Sequence, residues 1–212
     1  MAYDLEEQES IDQMKAWWEK WGTPITAAVC VVCLGFAAWN GWNWYQRNQA
    51  AKAAGAYVQL QNAVYQNDTK NVDSISNGLM DEYGTTVYAP MAALTSAAAQ
   101  VKAGNLEGAE KRLRWVIEKS GFPEYDTVAR VRLAGLLLSQ GKLDEAMGLL
   151  DAAKPADLQV AMVEDRRGDI FFAKKDYDQA RTAWEKALKA GATGTTISPA
   201  VKLKIGALPA AE

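Results

Sequence analysis

The most suggestive residues for chemistry in this sequence are two carboxylates, Asp165 and Asp169, which stand four residues apart. In a helix this spacing places both side chains on one face. Paired carboxylates can take part in acid–base catalysis, but neither a nucleophile nor a metal-binding cluster accompanies this pair in the sequence. The pair is therefore more typical of a solvated helix face with local ion pairs.

The remaining composition also argues against an enzyme. The chain has no histidine, which removes the usual general base near neutral pH and the commonest metal ligand. Its two cysteines, Cys30 and Cys33, both lie in an apolar segment, so the rest of the chain has no thiol chemistry. With no phosphate-binding loop, zinc spacing or catalytic triad, we predict a protein that is not an enzyme and uses no cofactor.

Charge is distributed unevenly along the chain. Residues 1–21 carry six acidic and two basic side chains, whereas the remainder carries 20 acidic and 21 basic ones. A nearly neutral domain offers no broad electrostatic surface for nucleic acid. We therefore expect partners other than nucleic acid.

An uncharged segment, residues 22–46, predicts a transmembrane anchor. As a helix it is long enough to cross the roughly 30 Å hydrocarbon layer. Six of the eight tryptophans flank it, as expected for aromatic side chains at the headgroup level: Trp17, Trp18, Trp21, Trp39, Trp42 and Trp44. A buried core helix and a cleaved signal peptide are the alternatives. The long acidic lead does not resemble the short basic start of a signal peptide.

Charge alone does not orient this anchor. Lys15 and Lys20 precede it, and Arg47 and Lys52 follow it, so the positive-inside comparison is tied. Upstream, apolar residues recur at steps of three and four between Ile11 and Trp21. This spacing indicates an amphipathic lead-in helix on the membrane surface, with a simple continuation of the anchor helix as the alternative.

Residues 47–212 contain a degenerate repeat. Three passages resemble one another: GNLEGA from Gly104, GKLDEA from Gly141 and KDYDQA from Lys175. Their last alanines, Ala109, Ala146 and Ala180, are 37 and 34 residues apart, and a period of 34 is typical of tetratricopeptide repeats. The predicted fold is therefore all-α, a single N-terminal transmembrane helix followed by a tetratricopeptide-like α-solenoid.

Flanking residues fit the same period. A degenerate helix pair is expected before the three units, and Lys175 occupies a position where the other two units have glycine. After the third unit, Ser198 and Pro199 predict the start of a C-terminal capping helix. Its apolar residues would cover the last repeat, as solenoids require: Val201, Leu203, Ile205 and Leu208.

Taken together, these features resemble the YfgM family, the ancillary subunit of the bacterial SecYEG translocon. The similarity extends over essentially the whole chain, and its most specific parts are residues 163–169 (VEDRRGD) and 174–184 (KKDYDQARTAW). The resemblance implies a bacterial inner-membrane protein with a cytoplasmic acidic tail, residues 1–21, and a periplasmic repeat domain. It also implies association with the SecYEG translocon, periplasmic chaperones and exported polypeptides.

The repeat phase predicts which residues could bind a partner, because the first helix of each pair lines the concave face of such a solenoid. Ala98, Asp165 and Asp169 fall on this face together with seven apolar candidates. The apolar candidates are Met91, Leu94, Val128, Val131, Leu138, Met162 and Phe172. Methionine adapts to varied partners, which would suit client segments. Packing against the terminal caps is the alternative role of these residues.

The functional expectation is a chaperone-like accessory protein of the Sec translocon that assists exported polypeptides at the periplasmic face of the membrane. It would act through protein–protein binding alone. The alternative is a structural scaffold that assembles an envelope or cell-division complex. A client-binding protein would capture unfolded apolar segments weakly, whereas a scaffold would hold one folded partner.

Overall fold

The computed structural model describes residues 2–191 and 198–209, and within these ranges all regular structure is helical. The helices, in chain order, are α1 (Ala2–Tyr65), α2 (Thr69–Glu82), α3 (Tyr88–Lys102), α4 (Leu106–Lys119), α5 (Pro123–Ser139), α6 (Leu143–Asp151), α7 (Asp157–Ala173), α8 (Tyr177–Gly191) and α9 (Ser198–Gly206). The all-α fold predicted from the sequence is confirmed.

The chain divides into two compact units, with the boundary after Gln49. The first unit contains the uncharged segment, whose large apolar side chains are exposed: Val31, Val32, Leu34 and Phe36 are each about 70% accessible. Among the described residues, α1 alone is long and apolar enough to cross a membrane. Its length and composition fit the predicted anchor.

In the second unit, four helix pairs are joined by turns of one geometry. Asn67, Gly104, Gly141 and Lys175 adopt left-handed backbone conformations, with φ of 55°, 80°, 77° and 64°. In each turn, the residue that follows the left-handed one donates its backbone N–H to the carbonyl oxygen five positions before it. At the last turn, for example, the Asp176 N–H donates to the Phe171 carbonyl oxygen at 3.0 Å. This bond satisfies a carbonyl that the helix end leaves free. Lys175 therefore keeps the turn that glycine forms elsewhere.

Small and large residues alternate at the helix contacts as the repeat predicts. Ala109, Ala146 and Ala180 are fully buried, which lets paired helices approach closely. Leu113 and Leu150, four residues after the first two alanines, are 2% and 1% exposed. Each such leucine contributes about 1.5–3 kcal/mol relative to an exposed one.

Candidate protein-binding surface

The first helices of successive pairs form one continuous surface. Helix α3 contacts α5, and α5 contacts α7, while α4, α6 and α8 pair with them in turn. We call the surface made by α3, α5 and α7 the inner face. This is the side on which a solenoid of helix pairs usually binds its partners.

The structure distributes the seven apolar candidates between the core and this face. Leu94 and Val131 are core residues, only 7% and 8% exposed. Three others are half-buried and pack against the same core: Val128, Leu138 and Met162. Met91 is also half-buried, and Phe172 is 45% exposed. The surface available to a partner is therefore greatest at Phe172.

Two of the candidates, Leu138 and Phe172, line one cavity of about 420 Å³. We call it the C-terminal cavity; its other lining residues are Asp169, Ala173, Trp184, Lys204 and Ala207. The Phe172 ring lies 6.0 Å from that of Trp184 and 5.7 Å from that of Tyr177, measured between centroids. The lining is thus mainly apolar and aromatic, with one ion-paired edge.

Helix α9 supplies that edge and closes the end of the domain. Val201 is fully buried and Leu208 is 9% exposed, and both pack in a cluster with Ala180 and Trp184. Leu203 instead points outward, with 76% of its surface exposed. The cap thus uses only part of the apolar set that the sequence suggested.

The two carboxylates that stand out in the sequence are held by this cap. Lys204 Nζ donates to Asp165 Oδ1 at 2.6 Å and to Asp169 Oδ1 at 2.7 Å. Burial raises the pKa of Asp169, and the contacts from Lys204 and Arg166 oppose that rise. The pair is therefore part of an ion-paired helix contact, where it helps to fix α9 in place.

A second cavity on the inner face is lined by residues that were not among the apolar candidates. It also measures about 420 Å³ and is lined by Ala97, Ala98, Val101, Leu106, Leu113, Arg132, Gly135, Leu136, Ser139 and Arg166. We call it the arginine cavity. Ala98, placed on this face by the repeat phase, is one of its walls. The sequence signal for the arginines is their spacing of 34 residues, one repeat period.

Groups of three or more residues able to hold a metal are absent from the described parts of the chain. Cys30 and Cys33 are free and exposed in the apolar segment of α1. The two cavities are lined mainly by apolar, aromatic and charged side chains, which can make apolar and ionic contacts with another chain.

The paired helices, the repeated turns and the inner face define a tetratricopeptide repeat-like protein. The family model of that description, the tetratricopeptide repeat-like domain, matches residues 15–210. Similar proteins include the ancillary SecYEG translocon subunits of Haemophilus influenzae and Neisseria gonorrhoeae. The first is 29% identical over 90% of this chain and 93% of its own length, and the second 30% identical over 89% and 90%.

The ancillary SecYEG translocon subunit of Escherichia coli is 25% identical, over 95% of this chain and 96% of its own length. The chain belongs to this family of ancillary SecYEG translocon subunits. The family resemblance predicted over essentially the whole chain is thus confirmed.

Proposed function

We propose that this protein is a membrane-anchored accessory subunit of the SecYEG translocon that assists exported polypeptides at the periplasmic face of the bacterial inner membrane. It acts through protein–protein binding and catalyses no reaction. The observation that carries the proposal is the combination of an exposed apolar helix with two cavities on the inner face of a repeat domain. Its relatives' name supplies the translocon as partner.

The anchor accounts for the membrane location. Side chains such as Val31 and Phe36 are about 70% exposed, and so large an apolar surface needs lipid or a partner helix around it. Trp21 and Trp42 are about 32 Å apart along a helix, close to the thickness of the hydrocarbon layer. In our proposal the acidic tail lies in the cytoplasm and residues 47–212 lie in the periplasm.

The repeat domain accounts for binding. The C-terminal cavity presents Phe172 beside Leu138 and Trp184, and such pockets favour apolar side chains of a partner. Exported chains cross the membrane unfolded and expose such side chains. Periplasmic chaperones, which receive those chains next, are the further partners in this proposal.

The test is site-specific photo-crosslinking in intact membranes during active export. A photo-reactive residue replaces Phe172 or Leu138, and the matched control replaces Leu158, which is 71% exposed near the start of α7 and lines neither cavity. We expect exported polypeptides to crosslink from positions 172 and 138, and much less from 158.

A different pattern would contradict the proposal. One stoichiometric folded partner crosslinked from positions 172 and 138, with exported chains missing, would identify a scaffold of an envelope complex instead. Equal crosslinking from all three positions would show that the C-terminal cavity has no special part in capture.

A further inference from the structure

Two guanidinium groups share the arginine cavity although they come from different repeats. Arg132 on α5 and Arg166 on α7 stand 34 residues apart, each two positions before the small residue of its unit, Ala134 or Gly168. They therefore occupy equivalent positions in successive units, and such positions stack side by side in a solenoid. The cavity concentrates positive charge at one place in a domain that is nearly neutral overall.

The guanidinium of Arg132 has N–H donors available for a ligand. Its Nη1 donates to the carbonyl oxygen of Leu94 at 3.1 Å, which ties α5 to α3. Within the described ranges, no carboxylate oxygen lies within 4.0 Å of its guanidinium nitrogens. Its side chain keeps access to solvent, yet the surrounding cavity walls desolvate it enough to lower its pKa. A guanidinium in this setting gains more from an incoming carboxylate than one in open water does.

Arg166 is only partly neutralised. Its Nη1 donates to Asp169 Oδ2 at 3.0 Å, but that carboxylate is shared with Lys204. Its Nε is buried and unbonded among the described residues. The guanidinium lies over the backbone of Gly135, where an added β-carbon would stand 3.1 Å from its Cζ. Gly135 is one turn beyond Arg132 on α5, so both guanidiniums flank the same stretch of that helix.

The opposite wall of the cavity is apolar. Ala98 and Val101 of α3 are exposed on it, Val101 with 45% of its surface, and Leu106 of α4 is half-buried beside them. An apolar side chain resting on this wall would cover surface that is now in water, while a neighbouring carboxylate faced the arginines. The cavity thus combines two kinds of contact within about 420 Å³.

We propose that the arginine cavity binds an extended polypeptide segment in which an Asp or Glu side chain stands next to a large apolar side chain. The carboxylate is held between Arg132 and Arg166, and the apolar side chain covers Ala98 and Val101. The inference rests on the proposed function, since a chain passing through export presents many internal segments but only one C-terminus. The cavity therefore adds a sequence preference to the general capture of apolar segments.

The test measures peptide binding to the full chain in lipid nanodiscs by fluorescence anisotropy. The probe is a fluorescein-labelled peptide amide, Gly-Ser-Leu-Phe-Asp-Leu-Ser-Gly, compared with the same peptide carrying Asn in place of Asp. A third probe is the Asn peptide with a free C-terminal carboxylate. The protein variants are Arg132→Gln, Arg166→Gln and Arg132→Glu.

The matched control is Arg130→Gln. Arg130 lies on the same helix and lines a different cavity, but Asp126 already neutralises it through a 2.7 Å contact. We expect the Asp peptide to bind at least tenfold more tightly than the Asn peptide. Arg132→Gln and Arg166→Gln should each abolish most of that difference, and Arg130→Gln should not. Arg132→Glu places a carboxylate beside Arg166 and should remove the preference for the Asp peptide entirely, while a circular dichroism spectrum equal to the parent's excludes misfolding.

Three results would overturn the inference. The first is equal binding of the Asp and Asn peptides, or no binding of either. The second is an effect of Arg130→Gln as large as that of Arg132→Gln. The third is tightest binding by the peptide with a free C-terminal carboxylate, which would show that the arginines bind chain ends. Each leaves the proposed function intact if exported chains still crosslink from positions 138 and 172. Loss of those crosslinks in the parent protein would remove the proposed function itself.

Discussion

The indole ring of Trp184 lies directly against the backbone of Gly168, where α8 meets α7. A β-carbon built at Gly168 would stand under 3.0 Å from three atoms of the indole ring, closer than real β-carbons approach other atoms. Trp184 cannot easily withdraw, because its Nε1 donates to the Asp165 carbonyl at 3.1 Å and the residue is only 3% exposed. In the third repeat, position 168 must be glycine because the space of a β-carbon is occupied by the buried Trp184 ring.

We therefore expect Gly168→Ala to destabilise the domain. Overpacking costs typically about 1–3 kcal/mol, and the better helix propensity of alanine, about 1 kcal/mol, offsets only part of it. Thermal unfolding followed by circular dichroism measures the change.

The matched control for this substitution is Gly148→Ala. Gly148 is an exposed helix residue where an added β-carbon would meet nothing within 4 Å. This variant should be neutral or slightly stabilised, by up to about 1 kcal/mol. If the two alanine variants unfolded at the same temperature, the close approach of Trp184 to Gly168 would be disproved.

Lys175→Gly should stabilise the protein. Lys175 has φ of 64°, and a left-handed conformation costs a residue with a β-carbon roughly 1–2 kcal/mol. Glycine avoids that cost but gains entropy in the unfolded chain, about 0.5–1 kcal/mol. The net gain should be several tenths of a kcal/mol or more in urea unfolding.

The reverse exchange, Gly141→Lys, is the check on Lys175→Gly. Gly141 has the same turn geometry, with φ of 77°, so lysine there should lower the free energy of unfolding by a similar amount. Destabilisation by Lys175→Gly would mean that this turn does not share the left-handed geometry of the other three.

Lys204→Met should weaken the cap in a pH-dependent way. Burial raises the pKa of Asp169 in the folded state, so its contribution to stability is full below the unfolded pKa of about 3.9 and is lost as pH rises through the folded value. Lys204 stabilises the ionised form of Asp169 and so reduces that loss of stability. Its removal should raise the pKa of Asp169 further and cost more at pH 7 than at pH 4.

At neutral pH the expected cost of Lys204→Met is about 1.5–3 kcal/mol, the range for hydrogen bonds to charged groups. Carboxyl NMR follows the titration of Asp169, and thermal unfolding follows stability. Lys202→Met, at an exposed lysine of the same helix, is the control and should change neither. A larger loss at pH 4 than at pH 7 would contradict this account of the cap.

A cysteine placed at Lys142 tests the proposed topology. Lys142 is exposed at the start of α6, so a membrane-impermeant thiol reagent should label it in intact cells after Cys30 and Cys33 are replaced by alanine. A cysteine at Gln13 in the acidic tail should be labelled only after lysis. The opposite pattern would place the repeat domain in the cytoplasm.

The repeat could be predicted from sequence because its signals are local. Gly104 and Gly141 mark left-handed turns, and Ala109 and Ala146 mark close helix contacts, each readable within a few residues. The left-handed turn at Lys175 has no local sequence signal, because lysine has no preference for positive φ. Only the spacing to the neighbouring units places it there.

The inner face was harder to predict than the fold. One residue corresponds to 100° around a helix, so a small rotation decides whether a side chain joins the core or lines a cavity. Leu94 and Val131 turned toward the core, whereas Leu138 and Phe172 reached a cavity. Arg132 and Arg166 line one cavity only because two repeats stack. The binding residues predicted from the sequence were chosen as apolar side chains and so did not include them.

The four left-handed turns also bear on how such a gene can evolve. Each turn closes through backbone hydrogen bonds within six consecutive residues, and the helices that pack together are close neighbours along the chain. If a duplication inserts another 34-residue hairpin between Gly141 and Lys175, the new helices are therefore flanked by turns of the same geometry on both sides. Lineages can lengthen or shorten the inner face by whole hairpins without redesigning a central core.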